Sequence, residues 1–265
     1  MNQTLIGLVA ALACAPAIVA GRPAAGRQAP RQGDEWSWHG TVAAGKTLEI
    51  RGISGPIEAE PAAGNEVLVT ATKRGRDSDP EEVRIEVVQD GGNVVICAVY
   101  PGRGNHCGAG DDYQMNTRDN DVEVHFLAQV PAGVAFAAEN VNGGVEAHDL
   151  GGPVKAGTVN GSVRIETSSG QATGSTVNGS VTAVVRGSNG GDLRFETVNG
   201  GVTLSLPKDL NADLEAETVN GGIETDFPVT VSGRLDRQHL DGRIGQGGRR
   251  LHVETVNGTI RLLAL

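Results

Sequence analysis

Through the second half of the chain, apolar and polar residues alternate one for one, then change phase at a fixed tripeptide. Around Asn199 the apolar set is Leu193, Phe195 and Thr197, followed after the Asn-Gly pair by Val202, Leu204 and Leu206. Around Asn220 it is Leu214, Ala216 and Thr218, then Ile223, Thr225 and Phe227; around Asn257 it is Leu251, Val253 and Thr255, then Ile260 and Leu262. Period two predicts strands with one buried face. The buried set falls at even offsets before each Asn and at odd offsets after it. The chain must therefore corner or reverse at Asn-Gly, where Gly supplies positive φ and Asn tolerates it.

Val-Asn-Gly occurs at Asn142, Asn160, Asn178, Asn199, Asn220 and Asn257, with gaps of 18, 18, 21, 21 and 37, and Thr precedes it in all but the first. The long gap reads as a double step. Leu240-Asp241-Gly242-Arg243-Ile244 supplies a degenerate unit within it, with Asp241 in the place of the repeat Asn. A more distant relative is Ile53-Ser54-Gly55-Pro56-Ile57. Two architectures fit. In one, each Asn-Gly closes a two-residue hairpin and the region is an antiparallel meander. In the other, each is a corner of a coil, and copies stack from coil to coil. Only stacking explains why the same triplet recurs, because identical amides about 4.8 Å apart can bond along a ladder while Val and Thr pack on their copies. The fold expected is all-β: a parallel β-solenoid of roughly seven 16–21-residue coils over residues 134–265, with the hairpin meander as the alternative.

Residues 34–133 carry further strand patterns in longer, irregular units. They are expected to form an N-terminal antiparallel β cap, since terminal repeats need atypical covering. Repeated Thr-Val-Asn-Gly, the stretch Val130-Pro131-Ala132-Gly133-Val134 leading to Asn142-Gly143, and the ending Asp241 to Leu262 together resemble an exported bacterial β-strand-repeat family labelled "putative adhesin", also called toastrack. The resemblance covers roughly Thr41 to Leu262. It implies a β-solenoid-like fold, export, and no established catalytic residues.

Composition narrows the class. Aromatics make up 3% of the chain and Gly accounts for 39 of 265 residues, which excludes an ordinary aromatic-rich core and favours short strands and tight turns. The net charge of −10 argues against nucleic acid as a partner, because that binding neutralises phosphates. Leu5 to Ala20 is apolar, broken by Pro16 and shorter than a membrane span, so residues 1–20 read as a secretory signal and 21–33 as a flexible linker. Ala11-Leu12-Ala13-Cys14 offers lipid anchoring at Cys14 as a rival. No membrane span should remain after the signal is removed. In an exported protein, Cys97 and Cys107 across a Pro-Gly turn suggest a disulfide.

Metal, nucleophile and phosphate-loop motifs are lacking, and no cofactor is expected. The histidines, among them His252, read as surface or strand residues. The acidic run 111–121 raises the question of calcium but has no twelve-residue loop. Glu139, Glu196, Glu217 and Glu254 each stand three before a repeat Asn, on the outward parity. Glu196 and Glu217 should stack on adjacent coils, where like charges repel unless a cation, neighbouring arginines or solvent intervene. The function expected is that of a non-catalytic envelope or surface module for binding, adhesion or scaffolding, its partner an unknown envelope protein or surface glycan. The alternative is a carbohydrate-active enzyme, which would need two carboxylates on one cleft.

Overall fold

The alternating segments become strands that pair with their own copies. In the computed structural model, residues 31–33, 35–110, 112–188, 190–231 and 238–265 are described. Residues 1–30, which hold the segment expected to be a signal, Cys14 and most of the expected linker, lie outside them. Ahead of the repeats run β1 (Arg31–Gln32), β2 (Trp36–Gly40), β3 (Thr47–Arg51), β4 (Ile57–Pro61), β5 (Val67–Gly75), β6 (Arg84–Asp90), β7 (Asn93–Val99) and β8 (Glu123–Val130). The first four repeat units contribute β9 (Ala135–Glu139) and β10 (Val145–Leu150), β11 (Val154–Asn160) and β12 (Val163–Thr167), β13 (Ala172–Asn178) and β14 (Val181–Val185), then β15 (Leu193–Asn199) and β16 (Val202–Leu206). The chain ends with β17 (Ala212–Asn220), β18 (Ile223–Thr225), β19 (Val229–Val231), β20 (His239–Ile244), β21 (Arg249–Asn257) and β22 (Ile260–Ala264).

Each Asn-Gly joins a strand of one sheet to a strand of a second sheet, so one unit is a two-strand rung. The first sheet stacks β9, β11, β13, β15, β21 and β17 in parallel. The second stacks β10, β12, β14, β16, β22 and β18, also in parallel. Parallel pairing between units excludes the hairpin meander. The inward residues of both sheets meet in one core, in which Ile165, Phe195, Leu204, Val253 and Leu262 are fully buried.

The core continues without a break into the N-terminal region. There β3 and β4 pair in parallel with β9 and β10, and Ser54 bridges Asn142, so Ile53–Ile57 is a further rung. Strands β7 and β8 form another beyond it. Only the outer strands are antiparallel: β6 on β7, β5 on β8, and β1 and β2 on β5. The opposite end closes the same way, with β20 antiparallel to β17 and β19 antiparallel to β20.

Two expectations are corrected. Asp241 is not a repeat turn. It lies inside β20, opposite Glu215 on an antiparallel partner. Leu240, Gly242 and Ile244 all face inward, so no phase change occurs there. A true turn separates its flanking inward residues by an odd step, Thr197 to Val202; Leu240 to Ile244 is an even step. The excursion through β18, β19 and β20 explains the long gap. The chain then returns into the stack, and β21–β22 lies between the Asn199 rung and the Asn220 rung. Asn257 is therefore interior and Asn220 is terminal.

Positive φ accounts for only part of the glycine requirement: of the glycines that follow a repeat Asn, Gly143 (φ 141°) and Gly179 (φ 157°) adopt it. The repeat asparagines do not adopt positive φ. The glycine after each Asn also sits against the corresponding glycine carbonyl of the next rung. An added Cβ would lie 2.0 Å from that oxygen at Gly179, Gly200 and Gly258. The buried Thr of each unit bonds this same carbonyl: Thr197 Oγ1 donates to Gly179 O at 2.8 Å, and Thr255 Oγ1 to Gly200 O at 2.8 Å. Thr recurs because it satisfies a carbonyl that the close stacking needs.

Outside, the amides form a head-to-tail ladder. Asn160 Nδ2 donates to Asn142 Oδ1, Asn178 to Asn160, Asn199 to Asn178, Asn257 to Asn199 and Asn220 to Asn257, all at 2.8–2.9 Å. These side chains are exposed, so each bond contributes at the lower end of the roughly 0.5–1.5 kcal/mol range. Asn178→Ala breaks two bonds and is expected to cost about 1 kcal/mol; Asn220→Ala breaks one and should cost about half that. Denaturant melts of both variants check the order, and equal losses would mean the ladder contributes nothing.

Candidate functional site

The outward face of the first sheet is covered at one end and open at the other. At the N-terminal end, residues 100–110 and 112–122 fold over β7. Val95, Cys97 and Val99 face outward into a small second core with Cys107. A Cys97–Cys107 disulfide, with Cα atoms 5.6 Å apart, ties the loop down. The Tyr100 hydroxyl donates to Val122 O at 2.7 Å, and burial pushes its pKa well up. The Arg51 guanidinium stacks 4.8 Å above the Tyr113 ring. Asp121, at the end of the acidic run, accepts backbone N–H bonds from Arg76, Asp77 and Ser78, and these hold its carboxyl down to about 2. Its oxygens are committed to the backbone, and Asp112 pairs with His106 at 3.1 Å.

At the other end the face carries a grid of charge. Across β15, β21 and β17, the residues seven before the repeat Asn are Asp192, Arg250 and Asp213. Five before it stand Arg194, His252 and Glu215, and three before it Glu196, Glu254 and Glu217. Glu254 thus separates Glu196 from Glu217, which were expected to be neighbours. The acidic column is real, and it is three rungs long. Arginines answer part of it. Arg194 pairs with Glu196, Arg250 with Asp192 at 2.8 Å, and Arg243 on β20 with Asp213 at 3.4 Å. Bonds from the Arg250 backbone N–H and guanidinium hold the Asp192 carboxyl below the usual range. A shallow depression lies among Asp192, Asp213, Glu215, Asp241, Arg250 and His252.

His252 sits at the centre of this grid. Its Nδ1 is 3.1 Å from Glu215 Oε2, and its Nε2 is 3.4 Å from Glu196 Oε1 and 3.6 Å from Glu254 Oε2. The sequence reading gave His252 no role. Its outward parity and its place two before Glu254 are visible in the chain, but its position between β15 and β17 depends on the return of β21 into the stack.

A second surface runs along the Asn edge. The Val before each repeat Asn points outward. Val159, Val177 and Val198 are each 39% exposed and Val219 is 52% exposed. They were expected to pack on their copies; the parity that buries Thr puts Val outside. The result is an apolar stripe alongside the amide ladder, one Val per rung. Asn142, Asn160, Asn178, Asn199, Asn220 and Asn257 all lie on this edge, whereas Asp241 lies on the charged face.

These features define a closed-ended parallel β-solenoid of two-strand rungs with a repeated Thr-Val-Asn-Gly corner. Residues 141–263 match the family model described as Toastrack DUF4097. The fold is similar to that of a "putative cell adhesion protein" from Clostridium sporogenes ATCC 15579, with TM-score 0.50 and 15% identity over 89% of this chain and 100% of that one. A "putative adhesin" from Bacteroides fragilis NCTC 9343 aligns with TM-score 0.33 and 9% identity over 87% of this chain and 97% of that one. Among curated proteins none matches the chain. Among the described residues no helix is long and apolar enough to cross a membrane.

Proposed function

We propose that the protein is an exported, non-catalytic module of the cell envelope or surface that binds a partner protein or glycan along its Val–Asn edge. The observation carrying this reading is the exposed stripe of Val159, Val177, Val198 and Val219 beside bonded amides. Single exposed valines are ordinary; the same valine repeated on three adjacent rungs, and again on the terminal rung beyond half-buried Val256, presents an apolar track with polar groups at its border. The rungs are rigid, so a partner would lose little affinity to ordering this surface. The disulfide supports an oxidising compartment, and with it the assignment of residues 1–20 as a signal and a mature start near Gly21.

The test replaces all four exposed valines with Thr, which keeps the shape and removes the apolar character. The variant is expected to melt within about 1 kcal/mol of the parent, since surface changes are mild, and to lose retention on envelope extract by tenfold or more. Equal retention by parent and variant, or cleavage of a polysaccharide in a parallel screen, would overturn the reading.

A further inference from the structure

We propose that Glu196, His252 and Glu254 form a binding site for a divalent transition-metal ion of the zinc type, which clips the inserted strand β21 to β15. A carboxylate can only accept a hydrogen bond. The contact of His252 Nδ1 with Glu215 Oε2 at 3.1 Å therefore places a proton on Nδ1. In the neutral ring Nε2 then carries a lone pair, and that lone pair faces Glu196 Oε1 and Glu254 Oε2. Three acceptors converge, and of the three only Glu196 Oε1 has a cationic partner, the Arg194 guanidinium. Moreover, His252 Nε2 is shielded from solvent and makes no hydrogen bond. Arg194 pairs with Glu196 Oε1 itself, so a bound metal would displace this guanidinium or share the oxygen with it.

The dimensions suit a metal. Bonds of about 2.0–2.1 Å place tetrahedral ligands about 3.3–3.4 Å apart. The two Nε2–carboxylate separations are 3.4 and 3.6 Å, and all three ligand atoms lie within 4.8 Å of one another. Glu215 fixes the ring and its tautomer from behind, the support commonly given to a ligating histidine. An imidazole among the ligands selects against calcium, which takes oxygen. The ligands come from both strands: Glu196 from β15, His252 and Glu254 from β21. Bound metal would thus fasten the penultimate strand of the chain to an earlier rung. The remaining way to relieve the cluster is a second proton on Nε2, and the experiment separates the two.

Zn²⁺ alone is titrated into the intact protein at neutral pH, against a chromophoric chelator. One equivalent is expected to bind, with a higher melting temperature, since a ligand of the native state stabilises it by mass action. His252→Gln and Glu254→Gln should each weaken binding tenfold or more while retaining the parent's circular dichroism. His125→Gln, which alters an exposed His–Glu pair at the far end, should leave it unchanged. A hundredfold excess of Ca²⁺ should not displace the zinc. No saturable binding would mean a protonated histidine only; that outcome, or binding that survives His252→Gln, or ready displacement by calcium, would overturn the site.

Discussion

Phe195→Ala is expected to lower stability by about 3–5 kcal/mol, the usual range for removing a buried ring. Phe195 is fully buried on β15, with Gly174 on one neighbouring strand and Val253 on the other. Gly174 has no side chain because the space is taken: a Cβ there would stand 3.2 Å from Phe195 Cδ1 and 3.0 Å from Val181 Cγ1. The ring thus fills two rungs' worth of core. The chain has four Phe in all, so few other side chains could swing in to close the cavity. A denaturant melt measures the loss, and a shift below about 1 kcal/mol would show that the rungs collapse onto the gap.

Gly200→Ala adds a single methyl group and should still cost about 2–3 kcal/mol, the upper part of the range for forced overpacking. Its Cβ would lie 2.0 Å from Gly179 O, 2.6 Å from the carbonyl carbon and 3.0 Å from Ser180 N. All three are backbone atoms of the next rung. Moving that carbonyl also disturbs the bond it accepts from Thr197. Gly222→Ala is the internal control, because a Cβ there meets nothing within 4 Å. It should be neutral or slightly stabilising, by reducing the freedom of the unfolded chain. Equal melting of the two variants would disprove the stacking account of the glycines.

What the chain reveals about itself divides along the range of the interaction. Strand parity, the corner at Asn-Gly and the solenoid are legible because they depend on a period of two and on recurrence at near-constant spacing. The amide ladder follows from the same recurrence. The roles of Thr and Gly within the corner were only half legible. Composition suggests packing and positive φ, whereas Thr197 bonds a carbonyl and Gly200 makes room for one. At Asp241 the tripeptide resembles a corner but the phase does not, because Leu240 and Ile244 keep the same parity across it. The charged face was the least legible. Glu196 and Glu217 could be placed on one column, but nothing local says that β21 returns between them. Without that, His252 is one scattered histidine among six.

The placement of β21–β22 bears on how the molecule is made. A solenoid can ordinarily grow rung by rung as its chain emerges. Here that growth stops at the Asn199 rung, because β17–β18 has no partner in the stack until the final segment is present. The segment from β17 to β20 must wait beside an open slot, and the C-terminal pair closes it from within. Until then β15 and β17 each present an unpaired parallel edge, the surface through which chains join one another. A break or stop just ahead of β21 would therefore remove a middle piece rather than an end, and leave both edges open permanently. The last strands to be synthesised decide whether the rest of the molecule is finished or sticky.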